Sequence, residues 1–302
     1  MRASPRWRLV ALLSLVGLLA VPNPASAAHN PPPPCEDGAY LTLTGAGTLQ
    51  SIICSGETAF GVELQGIPDG IGFRPGAEAG TVDVYVNHEE THVPFFGTAD
   101  FQDASVTGWT LNGDGEIVGA EVAIPSSAGY LRFCSSFMAG PGEGFSTYTY
   151  FTNEETNDVV DVPSGVPYRP DPSVAPQRQA GYAVALNTDT GEYTQIAGMG
   201  RYNHENTVAI PGGWNQFALL STDDTFSAPS SQLYMYLANQ EQHIWQDKGS
   251  LWAFQVTRTD EGRVDPFDPY NGANDYLDID PGDDWQGRFI RVPEEIAKGL
   301  TN

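Results

Sequence analysis

Between residues 40 and 256 the chain alternates short apolar runs with turn-forming residues. The runs at 40–43, 60–64, 82–86, 117–124, 145–152, 182–186, 216–220, 233–237 and 251–256 are rich in Val, Tyr, Thr, Phe and Leu. Glycine (33) and proline (23), with Asn and Asp, fill the segments between, and these are the residues tight turns require. Helical periodicities are few, so the pattern predicts an all-β domain of many short strands. A sandwich, a barrel and a propeller all satisfy that description. About 275 residues without an evident linker is large for one sandwich, whereas a propeller blade uses roughly 40–50 residues, so a β-propeller is the expected fold. Residues 293–298 read as the start of a helix.

The polar positions add a second pattern. Three runs end in an asparagine followed by acids: Val84-Tyr85-Val86-Asn87-His88-Glu89-Glu90, Tyr148-Thr149-Tyr150-Phe151-Thr152-Asn153-Glu154-Glu155 and Arg201-Tyr202-Asn203-His204-Glu205. A fourth, Phe217-Ala218-Leu219-Leu220-Ser221-Thr222-Asp223-Asp224, ends in paired aspartates. Blade-like inner strands delivering their ends to one mouth would produce this recurrence. Carboxylates at the ends of buried strands are costly unless a cation neutralises them. The chain has 14 Lys and Arg against 38 Asp and Glu, which favours metal ions over side chains as the neutralising charge. A polynuclear metal site is therefore the leading expectation.

The N-terminus sets the compartment. Arg2, Arg6 and Arg8 precede the apolar stretch 9–21 and a small-residue Ala25-Ser26-Ala27 site, the layout of a secretory signal peptide over 1–27. The apolar stretch is short for a membrane span, although an uncleaved anchor is the alternative. Loss of the three arginines takes the formal charge from −24 to −27, which argues against nucleic acid, whose phosphates demand a basic surface, and disfavours anionic lipid. A Pro-rich leader covers 28–38, and the main domain covers 39–302. Three cysteines in an oxidising compartment leave one over. Cys35 and Cys54 are expected to pair. Cys134 is then either an inert buried residue or a metal-ligating thiolate, and the count alone leaves both open.

Residues 260–284 form an acidic loop carrying nine Asp or Glu against Arg263. Oxygen-rich loops suit calcium, but the spacing is not that of an EF-hand, and a solvated acidic loop is the favoured reading. No Gly-x-Ser-x-Gly elbow or Gly-rich phosphate loop is present, which removes several familiar hydrolase classes.

The motif order is informative where single motifs are not. Val86-Asn87-His88-Glu89 is followed by Gly129-Tyr130-Leu131-Arg132-Phe133-Cys134-Ser135-Ser136. Then come Thr152-Asn153-Glu154-Glu155, Gly200-Arg201-Tyr202-Asn203-His204-Glu205, Thr222-Asp223-Asp224 ahead of Leu233-Tyr234, and Gly249-Ser250-Leu251-Trp252. Over residues 80–257 this order resembles the PhoX-type alkaline phosphatases and related exported propellers. The resemblance implies a six-bladed propeller with an iron and calcium cluster at its mouth and phosphomonoester hydrolysis there. It implies Cys134, Glu155 and Glu205 as catalytic metal ligands, with Asn87, Glu89, Glu154, Asp223 and Asp224 as further ligands. His88, His204 and Arg201 would stand behind them, orienting carboxylates or packing; Arg132 or Arg201 would help hold phosphate, with Arg201 paired to a nearby acid as the preferred alternative. Small phosphorylated substrates, a monomer, no nucleic acid and no membrane after signal cleavage complete the expectation. Two departures are visible. Arg6-Trp7-Arg8 separates the arginine pair of the family's twin-arginine leader, so Sec export is expected. Family members are also longer, which implies missing C-terminal strands. The competing reading is a calcium-stabilised extracellular propeller with a binding or structural role and no phosphatase activity. A calcium-dependent lactonase or esterase is the third.

Overall fold

The computed structural model describes residues 44–47, 50–90, 103–156, 159–161, 177–212, 215–225, 232–259, 262–263, 282, 284 and 286–299. The chain divides into residues 1–31 and 32–302, and every described residue belongs to the second unit. The signal sequence, the leader, the expected strand at 40–43, Cys35 and most of the acidic loop lie outside the described residues. No helix among the described residues is long and apolar enough to cross a membrane.

Antiparallel sheets dominate. A short hairpin, β1 (Thr58–Ala59) and β2 (Val62–Glu63), precedes the first large sheet. That sheet runs β3 (Pro68–Pro75), β4 (Val82–His88), β5 (Ser105–Leu111), β6 (Ile117–Ile124), each strand beside its sequence neighbour. The second begins with β7 (Phe133–Ala139) and β8 (Thr149–Glu154). A small pair, β9 (Val159–Asp161) and β10 (Gln177–Gln179), follows before β11 (Ala183–Asn187) and β12 (Tyr193–Ile196) complete it. The third runs β13 (His204–Ala209), β14 (Phe217–Asp223), β15 (Leu233–Ala238), β16 (Ser250–Thr259), with β17 (Gly262–Arg263) and β18 (Gln286–Arg291) both pairing β16. Two short helices, α1 (Glu241–Trp245) and α2 (Glu294–Ala297), accompany these sheets, and α1 adds the buried Ile244 to the core. The helix expected at 293–298 is α2.

Two sequence readings need correction. The run 60–64 is not one strand, because Phe60 and Gly61 both have positive φ and form the turn between β1 and β2. The four strand-then-acid segments are also not one per sheet. Residues 201–205 and 217–224 lie on neighbouring strands of the third sheet, and the acids follow the second strand in each sheet as well as standing on the first.

The second sheet is the centre of the core, and its alternation shows why. Tyr150 of β8 and Val184 and Leu186 of β11 pack with Tyr85 and Val106 of the first sheet. Phe151 of β8 and Ala183 and Ala185 of β11 face the other way, onto Leu219 and Tyr236 of the third. Both faces are covered, so β8 reads as a continuous buried run rather than an apolar–polar alternation. Each such side chain contributes roughly 1.5–3 kcal/mol of burial.

One irregularity recurs in all three sheets. On the first strand two residues stand opposite one on the second: Asp69-Gly70 opposite Asn87, Cys134-Ser135 opposite Asn153, and Glu205-Asn206 opposite Thr222. These are β-bulges, which bend a strand and re-aim its side chains. The same backbone hydrogen bond follows in each sheet: Glu89 N–H to Ile67 C=O (2.9 Å), Glu155 N–H to Arg132 C=O (3.0 Å) and Asp224 N–H to Asn203 C=O (3.0 Å).

The first two bulges nearly touch. A Cβ at Gly70 would lie 2.5 Å from the Cys134 carbonyl oxygen and 2.7 Å from the Asn87 amide nitrogen. Gly70→Ala is therefore expected to lower unfolding stability by about 1–3 kcal/mol through forced separation of β3 and β7. Gly142→Ala, where nothing lies within 4 Å, is the control. Equal urea midpoints for the two variants would refute the close approach.

Candidate metal centre

The three bulges aim their first residues at one place. Asp69 Oδ2 lies 3.6 Å from Cys134 Sγ, and Cys134 Sγ lies 3.7 Å from Glu205 Oε1. The residue just past the end of each second strand completes the set. Potential ligand atoms of Cys134, Glu155 and Glu205 all lie within 4.8 Å of one another. Asp224 is close enough to Glu155 to raise its carboxyl, and Arg132 Nη2 lies 3.2 Å from Glu89 and 3.7 Å from Glu155. Each sheet thus supplies one donor from its bulge (Asp69, Cys134, Glu205) and one from its second strand (Glu89, Glu155, Asp224).

The backbone under these donors is fixed by buried amides. Asn87 Nδ2 donates to the carbonyls of Cys134 (3.1 Å) and Ser135 (2.9 Å), while its Oδ1 accepts from the Tyr150 hydroxyl (2.9 Å). Asn153 Nδ2 donates to the Glu205 carbonyl at 2.7 Å. In both cases the asparagine opposite one bulge holds the bulge of the next sheet.

Electrostatics are one-sided. Burial, Asp224 and the nearby Glu89 and Glu205 push the Glu155 carboxyl up to about 7, against the pull of Arg132. Glu205 is raised first by burial and then by Asp224. The Cys134 thiol is pushed far up by burial and by Glu205, Asp69, Glu155 and Glu89. Burial is the largest cause of all three shifts, and the neighbouring acids add to it in the same direction.

The structure brings together Glu89, Cys134, Glu155, Glu205 and Asp224 from the sequence-predicted set and engages the others elsewhere. Glu154 is fully buried, with its two oxygens accepting from the Leu131 N–H (2.9 Å) and the Tyr182 N–H (3.0 Å). Asn87 spends its amide on the neighbouring sheet, as above. Asp223 accepts from the Thr225 N–H and hydroxyl. His88 faces the Gln65 carbonyl and the Thr107 hydroxyl, both at 2.8 Å. A carbonyl only accepts, so Nδ1 carries the hydrogen and Nε2 accepts from Thr107. His204 lies between the Gly200 carbonyl and the Ser221 hydroxyl, stacked on Tyr202, and burial pulls it down to about 3. Both histidines are neutral wedges in the core. Arg201 donates to the Ala180 carbonyl and covers the Tyr182 ring. Cys54 is disulfide-bonded and Cys134 is a free thiol.

Asp69 was not visible from the sequence, because Pro68-Asp69-Gly70 reads as a turn. A signal did exist: Asp69 and Glu89, Cys134 and Glu155, and Glu205 and Asp224 are each about 20 residues apart, one bulge-to-strand-end step.

The residues fit a metal cluster. Asp69, Glu89 and Asp224 are hard oxygen donors of the kind calcium takes, and the thiol between two carboxylates suits a softer transition metal. Asn203, just before the strand that carries Glu205, adds a buried Oδ1 with no hydrogen-bond partner, with its backbone paired to Glu155 and Asp224. Among the described residues the class defined is an antiparallel β protein with a thiol–carboxylate cluster built from three equivalent sheet ends.

Comparison with known proteins adds little beyond this. No family model and no curated protein matches the chain. Among solved structures it is similar to the Pseudomonas fluorescens PhoX in complex with vanadate, a transition state analogue, at 14% identity and a TM-score of 0.39. The alignment covers 64% of this chain and 46% of that one, so the chain spans about half of its length.

The pH dependence of the metal-free protein tests the electrostatics. Glu155 has a raised folded pKa, so its folded form binds more protons than its unfolded form between the ordinary carboxylate value and about 7. Its neutral form favours folding at low pH, and that contribution is lost as pH rises through 7. His88 and His204 are lowered and act oppositely, but only below the ordinary histidine value of about 6.5. From pH 6.5 to 8, chelator-treated protein should therefore lose stability, and Glu155→Gln should flatten the slope. A midpoint that rises over that window contradicts the assignment.

Proposed function

We propose that this chain is an exported, metal-dependent phosphatase that hydrolyses phosphomonoesters at a calcium and iron cluster in a β-propeller. The observation that carries the metal requirement is the convergence of Asp69, Cys134 and Glu205 from three equivalent bulges on Glu89, Glu155 and Asp224. Three successive up-and-down sheets that repeat one bulge and one strand-end bond support the propeller reading, since blades are such units. The phosphatase assignment rests on the motif order shared with the PhoX-type enzymes, and export rests on the leader at 1–27.

Cys134, Glu155 and Glu205, with Asp69, would hold the thiolate-bound metal, and Glu89 and Asp224 would hold calcium. When bound, such ions grip phosphoryl oxygens and stabilise the negative charge of the transition state. The chain supplies position. Asn87 and Asn153 fix the bulge backbones, and Tyr150 fixes Asn87. The buried neutral histidines keep the strands beneath in register without adding charge to the cluster.

Elemental analysis of chelator-free purified protein, paired with a phosphomonoester assay, tests the reading. Bound iron and calcium with phosphate release abolished by chelator are expected, and Cys134→Ala should lose the iron and about 100-fold or more of the activity. Full turnover by that variant removes the thiolate role. Calcium without phosphatase activity selects the structural or binding propeller instead.

A further inference from the structure

We propose that Arg132 is a built-in competitor for the site's cations: it neutralises Glu89 and Glu155 in the metal-free protein, and a divalent cation that displaces it frees the guanidinium to hold the substrate's phosphoryl group. The inference rests on the metal-dependent reading above and names how that site couples metal to substrate.

The cation and its acids differ in freedom. The side chains of Glu89 and Glu155 are 15% and 11% exposed, whereas that of Arg132 is 42% exposed. The acids are the more covered partners and the arginine head stands at the rim. Its stem is fixed. The Arg132 N–H donates to the Glu90 carbonyl (2.7 Å), its carbonyl accepts from Glu155, and its φ of 49° lies in the left-handed region, which a bulky residue adopts only when its surroundings impose it. The residues at the equivalent position of the other two sheets are Ile67 and Asn203, so only the central sheet places a cation here.

Displacement follows from charge and geometry. Ion pairs with an exposed partner are weak, and here one guanidinium is shared, by Nε (3.3 Å) and Nη2 (3.2 Å) to Glu89 Oε1 and by Nη2 (3.7 Å) to Glu155. A divalent ion brings twice the charge to the same carboxylates. Once they are taken, Arg132 has lost its partners and is repelled by the ion, while its fixed stem keeps the head beside the site. A guanidinium fork matches two phosphate oxygens. Calcium binding and phosphate binding are then coupled, and the coupling is reciprocal.

The test uses the full chain stripped with chelator, titrated calorimetrically with calcium alone and then, at saturating calcium, with inorganic phosphate. Arg132→Gln should bind calcium about fivefold or more tightly and phosphate about tenfold or more weakly. Arg132→Lys keeps the competing charge but loses the fork, so its calcium affinity should stay within about twofold of wild type while phosphate binding falls. If Arg132→Gln fails to fold, the Lys variant decides. Unchanged or weaker calcium binding in the Gln variant, or unchanged phosphate affinity in the Lys variant, overturns the proposal. Wild-type protein that takes up no calcium overturns the metal-dependent reading as well. Wild-type protein that binds calcium and releases phosphate, with variants that match it, overturns this inference alone.

Discussion

Mutual repulsion among the acids at the sheet ends is the constraint on which the rest depends. Five carboxylates and a thiol converge with Arg132 as the guanidinium bonded to them. Two unit charges 4 Å apart cost about 4 kcal/mol at the effective dielectric near a protein surface, and a whole domain is stable by about 5–15 kcal/mol. A fully ionised cluster would therefore consume a large share of folding stability. The protein can protonate some members, as the raised Glu155 and Glu205 indicate, or it can admit cations. Asp69, Cys134 and Glu205 do not sit on flexible tips free to separate. They sit in bulges of packed strands, where relaxation is blocked.

The bulges explain how side chains on buried strands reach the cluster at all. In a regular strand, successive residues alternate between faces, and both faces of the central sheet are already filled by aromatic and aliphatic side chains. One extra residue per first strand breaks that alternation locally and turns Asp69, Cys134 and Glu205 away from the core. The residue opposite the bulge then has unusual work to do. Asn87 and Asn153 supply amide hydrogens to the carbonyls of the adjacent sheet, groups that would otherwise be buried without partners. The same asparagines that look like ligands in the sequence are thus the stitches between sheets.

This distinction marks the limit of what was legible beforehand. Strands ending in acid were readable because apolar runs and polar ends differ in composition. Glu89, Glu155, Glu205 and Asp224 stand in segments found that way, whereas Cys134 was singled out as a ligand only by the motif order, because its unpaired count left an inert role open. The members of each acidic pair could not be separated, since Glu154 and Glu155 differ only in parity relative to a bulge that leaves no compositional trace. Glu154 satisfies two backbone N–H groups, and Asp223 caps its own turn. Asp69 was hidden for the opposite reason: a Pro-Asp-Gly triplet carries a stronger turn signal than strand signal. That 201–205 and 217–224 share one sheet was not legible either, because their pairing depends on the turn between them rather than on either run.

Equivalence of backbone with difference of side chain is what gives the site its chemistry. The bulge position holds Asp69, Cys134 and Glu205 in turn, and the strand-end position Glu89, Glu155 and Asp224. A repeat that placed the same carboxylate six times would offer only hard oxygen and favour calcium throughout. One thiol in the central sheet, flanked by Asp69 and Glu205, makes one part of the cluster softer than the rest. Arginine before the central bulge, where the other sheets have Ile67 and Asn203, likewise makes one side cationic. The scaffold fixes where donors go, and substitution at equivalent positions decides what each part of the site can hold.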